Sequence, residues 1–136
     1  GARSDFSIRE GAVHIGEIQA WDMNTGEEVW TREFESHNWG GILTTSGNLI
    51  FSGGTTDRFF RAHDASTGEE LWRFRTNSGI IGVPSTFSVD GKQYVAVQSG
   101  WGVDAAGMTG RIDVERGTRT FIPQGGVVWV FALPDS

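Results

Sequence analysis

Short runs of alternating apolar and polar residues, each broken by Gly, Asp, Asn or Ser, occupy most of the chain. A period of two with frequent turn residues predicts β-strands joined by tight turns, since helices need apolar positions recurring at 3.6. Ile18 and Ala20 alternate with Gln19 and Trp21, Asp22 to Gly26 supply a turn, and Val29-Trp30 begin a return strand. Residues 41–45 and 49–52 read as a hairpin closed by Ser46-Gly47-Asn48, followed by strands over 58–63 and 70–74. A further strand is expected within 79–87; it turns at Asp90-Gly91, the strongest short hairpin signal in the chain, and continues through 93–98. Residues 125–133 read as one more strand. Between them, Trp101 to Gln124 shows no sustained period and is expected to be a long loop, which in a compact domain marks a functional or a disordered segment.

One unit recurs. Ala20-Trp21-Asp22-Met23-Asn24-Thr25-Gly26-Glu27-Glu28-Val29-Trp30 returns 42 residues later as Ala62-His63-Asp64-Ala65-Ser66-Thr67-Gly68-Glu69-Glu70-Leu71-Trp72. A period in the forties with one Trp per unit is the mark of propeller blades rather than of helical repeats. In each copy Asp can bond the turn backbone and Gly can take positive φ. Trp30 and Trp72 are expected on outer strands, docking one blade against the next.

These strands fill an outer half-blade over about 16–34, a complete blade over about 39–75 and a last blade over about 79–133 that includes the 101–124 loop. The expected fold is therefore all-β, a β-propeller segment over residues 1–136. A propeller closes with about four to eight blades, so this segment is expected to need other polypeptide to cover its edges, from the same protein or from copies of itself. A start at Gly1 without Met is expected of a processed or excised chain.

Composition agrees with strands and turns: 20 Gly accompany 6 Trp and 9 Phe while apolar residues reach only 38%. With no Cys, neither a disulfide nor a thiolate metal site is available. A net charge of −6 disfavours nucleic acid and anionic membranes as partners. No run approaches the roughly 18 apolar residues of a membrane span. His14, His37 and His63 lack metal-ligand spacing on one element.

Both Ala-x-Asp-x-x-Thr-Gly-x-x-x-Trp units, Trp39-Gly40-Gly41 with Gly47-Asn48-Leu49-Ile50, Ser78-Gly79-Ile80-Ile81-Gly82-x-Pro84, Gly91-Lys92-Gln93-Tyr94-Val95-Ala96 and Ser99-Gly100-Trp101-Gly102 together carry a resemblance. From about Gly16 to Trp101, and again over 125–134, the chain resembles the C-terminal end of the large subunit of pyrroloquinoline-quinone (PQQ)-dependent alcohol dehydrogenases, the methanol and ethanol dehydrogenase group. The resemblance implies an eight-bladed propeller held by tryptophan docking repeats, with PQQ on its axis and a calcium or lanthanide ion beside it. It also implies a periplasmic enzyme that oxidises primary alcohols to aldehydes by hydride transfer and passes electrons to cytochrome c. In that family the metal ligands, the catalytic Asp, the Trp stacked under the quinone and a vicinal disulfide come from earlier blades. No catalytic residue or metal ligand is therefore assigned here, and the isolated chain is expected to be inactive.

Trp39 matches the family tryptophan that reaches the quinone, and an indole N–H can donate to a carboxylate or carbonyl while the ring seals an apolar pocket. A plain core tryptophan is the alternative. Asn38 could donate its amide to the same anionic cofactor, and Gly40, with Gly41, would let backbone approach the axis. Trp101 falls where the family covers the substrate entrance, so it either lines the cavity or anchors a loop. His37 draws notice because it precedes the Asn38-Trp39 pair. Asp57-Arg58 reads as a turn, although an Arg near the axis could pair with a quinone carboxylate. The competing function is a self-assembling, non-enzymatic propeller module that acts as scaffold or binding protein.

Overall fold

The computed structural model describes residues 7–134. Among the described residues nine strands form three antiparallel sheets, of two, four and three strands. The first pairs β1 (Gly16–Trp21) with β2 (Glu28–Phe34). The second runs in chain order through β3 (Ile42–Thr44), β4 (Leu49–Ser52), β5 (Phe59–Asp64) and β6 (Glu70–Arg75). The third holds β7 (Ser85–Val89), β8 (Lys92–Ser99) and β9 (Val127–Ala132).

The turn of the repeated unit folds alike in its two copies. Asp22 Oδ1 accepts from the N–H of Asn24 and Thr25, and Asp64 Oδ1 accepts from the N–H of Ser66 and Thr67. Thr25 and Thr67 each accept from the N–H two residues on, at 3.2 Å. Gly26 and Gly68 both take φ +71°, a left-handed conformation that only Gly adopts without strain. Both pairings slip in register after the unit's Ala, at Ala20/Trp21 and at Ala62/His63.

The main core lies between the second and third sheets. Phe51, Phe60 and Ala62 face Ile80, Val95 and Val97, and Leu43, Leu49, Trp129, Phe131 and Leu133 close its margin. Aromatic rings continue this seam: Trp72 meets Phe131 with centroids 5.0 Å apart, and Phe74 meets Trp129 at the same separation. Between the first and second sheets, the indole N–H of Trp30 donates to the Ala65 carbonyl at 2.9 Å. Arg61 is buried beneath Phe34 and Phe59, paired with Asp57 and Glu70.

Residues 101–124 are not the continuous loop that their missing period suggests. Helix α1 spans Val103–Arg116 and ends at Gly117, whose φ of 65° closes the last turn. Its buried face is only Ala105, Thr109 and Ile112, and one of these is polar. Gly107 and Gly110 weaken it further, so neither period nor propensity announces a helix. Packing supplies what the sequence pattern lacks: Trp101 and Ile122 form a buried cluster with Ala105.

The antiparallel alternation sends every second connection to the same end of the sheets. Residues 35–41, 53–58, 76–84 and 100–126 all lie there, and the candidate site residues belong to these connections.

Candidate functional site

Residues 37–40 run across this end from β2 to β3. The N–H of Trp39 donates to the Gly54 carbonyl at 3.0 Å. Behind it, Gly40 lies so close to Gly53 and Gly54 that any β-carbon at residue 40 would overlap the Gly53 carbonyl. This close backbone approach fixes the segment while leaving Trp39 37% exposed.

Asn38 packs against β1, where a β-carbon on Gly16 would come within 2.9 Å of its backbone nitrogen. Its amide oxygen is sealed from solvent and has no hydrogen-bond partner among the described residues. His37 Nε2 is in the same condition. A buried, unpartnered polar atom costs about 1–3 kcal/mol, so two in consecutive residues mark a place where the fold leaves groups for something else to satisfy.

The His37 ring joins the two tryptophans of the site. It meets Trp39 edge-on with centroids 5.6 Å apart and lies tilted against Trp101 at 5.8 Å. Burial holds the imidazole below its ordinary pKa, favouring the neutral form. Trp101 itself is only 5% exposed, lying over Gly79, where a β-carbon would overlap its ring. It also walls a hollow of about 440 Å³ with Ile81, Gly82, Gln98, Gly125 and Gly126. The Trp101 ring thus anchors the loop and borders a cavity at once.

On the far side of His37 opens a polar cleft of about 450 Å³ between the end of β2, the β4–β5 connection and α1. Arg116 closes one side by donating to the Glu35 carbonyl at 2.8 Å. Burial opposes ionisation of Asp57 in this cleft, but hydrogen bonds from Arg61, Thr55 and the Phe59 N–H outweigh it and lower its pKa. Arg58, with φ 68°, donates to the Asn77 carbonyl at 3.1 Å. That bond places Arg58 in the frame that holds the loops.

The two repeat tryptophans differ in their surroundings. The Trp30 ring lies on Gly68, at 2.7 Å from where a β-carbon would stand. Trp72 is 39% exposed and stacks on Phe74. Sequence reasoning did not foresee His37 as the link between Trp39 and Trp101, because these residues are brought together across 64 positions of chain.

Residues 31–95 match the glucose/ethanol/alcohol dehydrogenase β-propeller domain family, PQQ. Over 89% of its length the chain is 45% identical to the quinoprotein alcohol dehydrogenase PedH of Pseudomonas putida, of which it covers 20%. It is 35% identical to methanol dehydrogenase [cytochrome c] subunit 1 of Methylobacterium organophilum, over 98% of the chain and 22% of that protein. Its fold superposes on a europium-containing methanol dehydrogenase with a TM-score of 0.71 and 34% identity, covering 90% of this chain and 24% of that one.

The matched segment belongs to the PQQ-dependent alcohol and methanol dehydrogenase family.

The quinohemoprotein alcohol dehydrogenase of Comamonas testosteroni superposes as well, with a TM-score of 0.67 and 35% identity, covering 88% of this chain and 18% of that one. The strand-rich topology is that of the quinoprotein propellers. The chain spans about a fifth of the length of the curated relatives it matches. Among the described residues no helix is long and apolar enough to cross a membrane.

Proposed function

We propose that this quinoprotein segment forms blades of an eight-bladed, periplasmic dehydrogenase that oxidises a primary alcohol to the aldehyde, and that residues 37–41 form part of the wall around its PQQ. The observation that carries the reading is the Asn38-Trp39-Gly40 segment. Asn38 presents a sealed amide oxygen without a partner, Trp39 is partly exposed, and the Gly40 backbone is pressed against Gly53, which fixes both side chains in place.

These groups suit a planar, polyanionic quinone. An indole N–H and a carboxamide can donate to carboxylates or carbonyls, and charge-assisted bonds of this type are roughly twice as strong as neutral ones. When bound, PQQ would supply the hydride acceptor. Trp39 and Asn38 would orient it, while Trp101, fixed by the Gly79 contact and α1, would hold water off the substrate side. The calcium or lanthanide ion that accompanies the cofactor would be held by residues of the other blades. Those blades, a small alcohol and cytochrome c as electron acceptor are the partners in this reading.

The test is the native mass of the protein that carries this segment, with denaturing mass analysis of every chain and the absorption of any bound quinone. A protein or stoichiometric partner supplying the remaining blades, with one quinone per propeller and dye-linked oxidation of short primary alcohols, is the expected result. A closed homo-oligomer of blades without quinone would overturn the reading in favour of a self-assembled, non-enzymatic propeller.

A further inference from the structure

The reaction proposed above raises a problem of exit. Converting RCH2OH to RCHO removes two electrons and two protons. The electrons leave singly to a one-electron acceptor of the haem class, but protons need a path of ionisable groups and water to reach solvent. Trp39 and Trp101 are ill suited to carry them, because an indole N–H is a donor only.

His37 joins the tryptophans to the polar cleft. Its ring contacts both indoles, its Nε2 is sealed without a partner, and the same residue lines the cleft. A neutral imidazole accepts a proton at one ring nitrogen and releases another from the second. The backbone at this point is held from the cleft side: Ser36 Oγ donates to the His37 carbonyl at 3.1 Å and accepts from the N–H of Thr56 at 3.0 Å.

The cleft has the composition of a proton outlet. Glu33 and Glu35 reach it from the end of β2, Asp57 from the β4–β5 connection, and Asp113 with the cation Arg116 from α1. Asp57 is compensated by Arg61, and Arg116 is the cation among the lining residues, so Glu33, Glu35 and Asp113 leave the cleft net acidic, a potential that draws protons away from the interior. Its volume of about 450 Å³ admits several waters to relay between these groups.

We infer that His37 is a proton-transfer residue that carries the protons of alcohol oxidation from the quinone side of Trp39 and Trp101 to the acidic cleft beneath α1. The inference rests on the PQQ reading of the same segment.

The experiment compares His37→Phe, which keeps an aromatic ring between the indoles, with His37→Gly in the complete dehydrogenase. Quinone content and absorption are measured before turnover. Both variants are expected to bind quinone as the wild type does. His37→Phe should turn over at least tenfold more slowly with an enlarged solvent deuterium isotope effect, and added imidazole should restore His37→Gly. Wild-type turnover and isotope effect in His37→Phe would overturn the inference by reducing the ring to packing. Loss of quinone from His37→Phe would overturn it by making His37 a cofactor-holding residue. Absence of quinone from the wild type itself would instead remove the PQQ reading, and the inference with it.

Discussion

The ring of Trp30 lies on Gly68 of the following repeat, at 2.7 Å from the place where a β-carbon would stand, while its N–H donates to Ala65 at 2.9 Å. Gly26, the equivalent of Gly68 in the first copy, has the same φ of +71° and nothing within 4 Å of a β-carbon. The pair separates two costs that usually come together.

Substituting Gly26→Ala should cost about 1 kcal/mol, the strain of a left-handed residue that carries a β-carbon. Gly68→Ala should cost about 1–3 kcal/mol more, because the Trp30 ring must also move. Denaturant midpoints of the two variants check this. Equal losses would mean that the Trp30 contact contributes nothing.

Arg61 is 7% exposed at its side chain and is held by Asp57, Glu70 and the Thr55 hydroxyl. Arg61→Met should destabilise the protein by about 3 kcal/mol, the low end for a broken buried pair, since Asp57 at 44% exposure can recover water. Asp57→Asn should cost less, and the double variant should lose less than the sum of the two, in a thermodynamic cycle of unfolding free energies.

His37 and His63 are both pushed below their ordinary pKa by burial. The unfolded chain therefore binds protons that the folded chain refuses. Stability should be full above the unfolded histidine value of about 6.5 and fall as pH drops from there toward the lowered folded values. Unfolding midpoints measured between pH 8 and pH 5 should show this loss, reduced in His63→Asn. The carboxylates act at lower pH: the depressed pKa of Asp57 makes its contribution disappear only as pH falls below about 4.

At the site, Gly40→Ala should displace the 37–41 segment, because its β-carbon overlaps the Gly53 carbonyl. Trp39→Phe removes a donor and leaves a ring. In the complete dehydrogenase, quinone affinity should fall about 10- to 100-fold in Trp39→Phe, the worth of one hydrogen bond to a charged group. Gly40→Ala should lose more. Equilibrium reconstitution of the quinone-free protein measures both.

Much of this architecture is written locally. The Asp, Thr and Gly of each repeat make their turn from bonds within six residues, so both copies of the turn, the strands on either side and the outer tryptophans could be read from the chain alone. Gly40 is visible in the sequence as a missing side chain, but that its backbone abuts Gly53 and Gly54 is decided by a contact 13 residues along the chain. The Asn38-Trp39 pair is singled out in the sequence only by resemblance to a family.

Tertiary structure decided the rest, wherever the forces act between residues distant in the chain. Helix α1 carries three buried residues and two interior glycines, too little to order it alone, and it exists because Trp101 and Ile122 give Ala105 a core to enter. The Trp101 ring is fixed by the absent side chain of Gly79, and His37 meets it from a segment three connections earlier at the same end of the sheets. Turns and strand periods depend on near neighbours, which the sequence lists in order. Which buried atoms remain unpartnered, and which rings meet around them, depends on packing that only the folded chain creates.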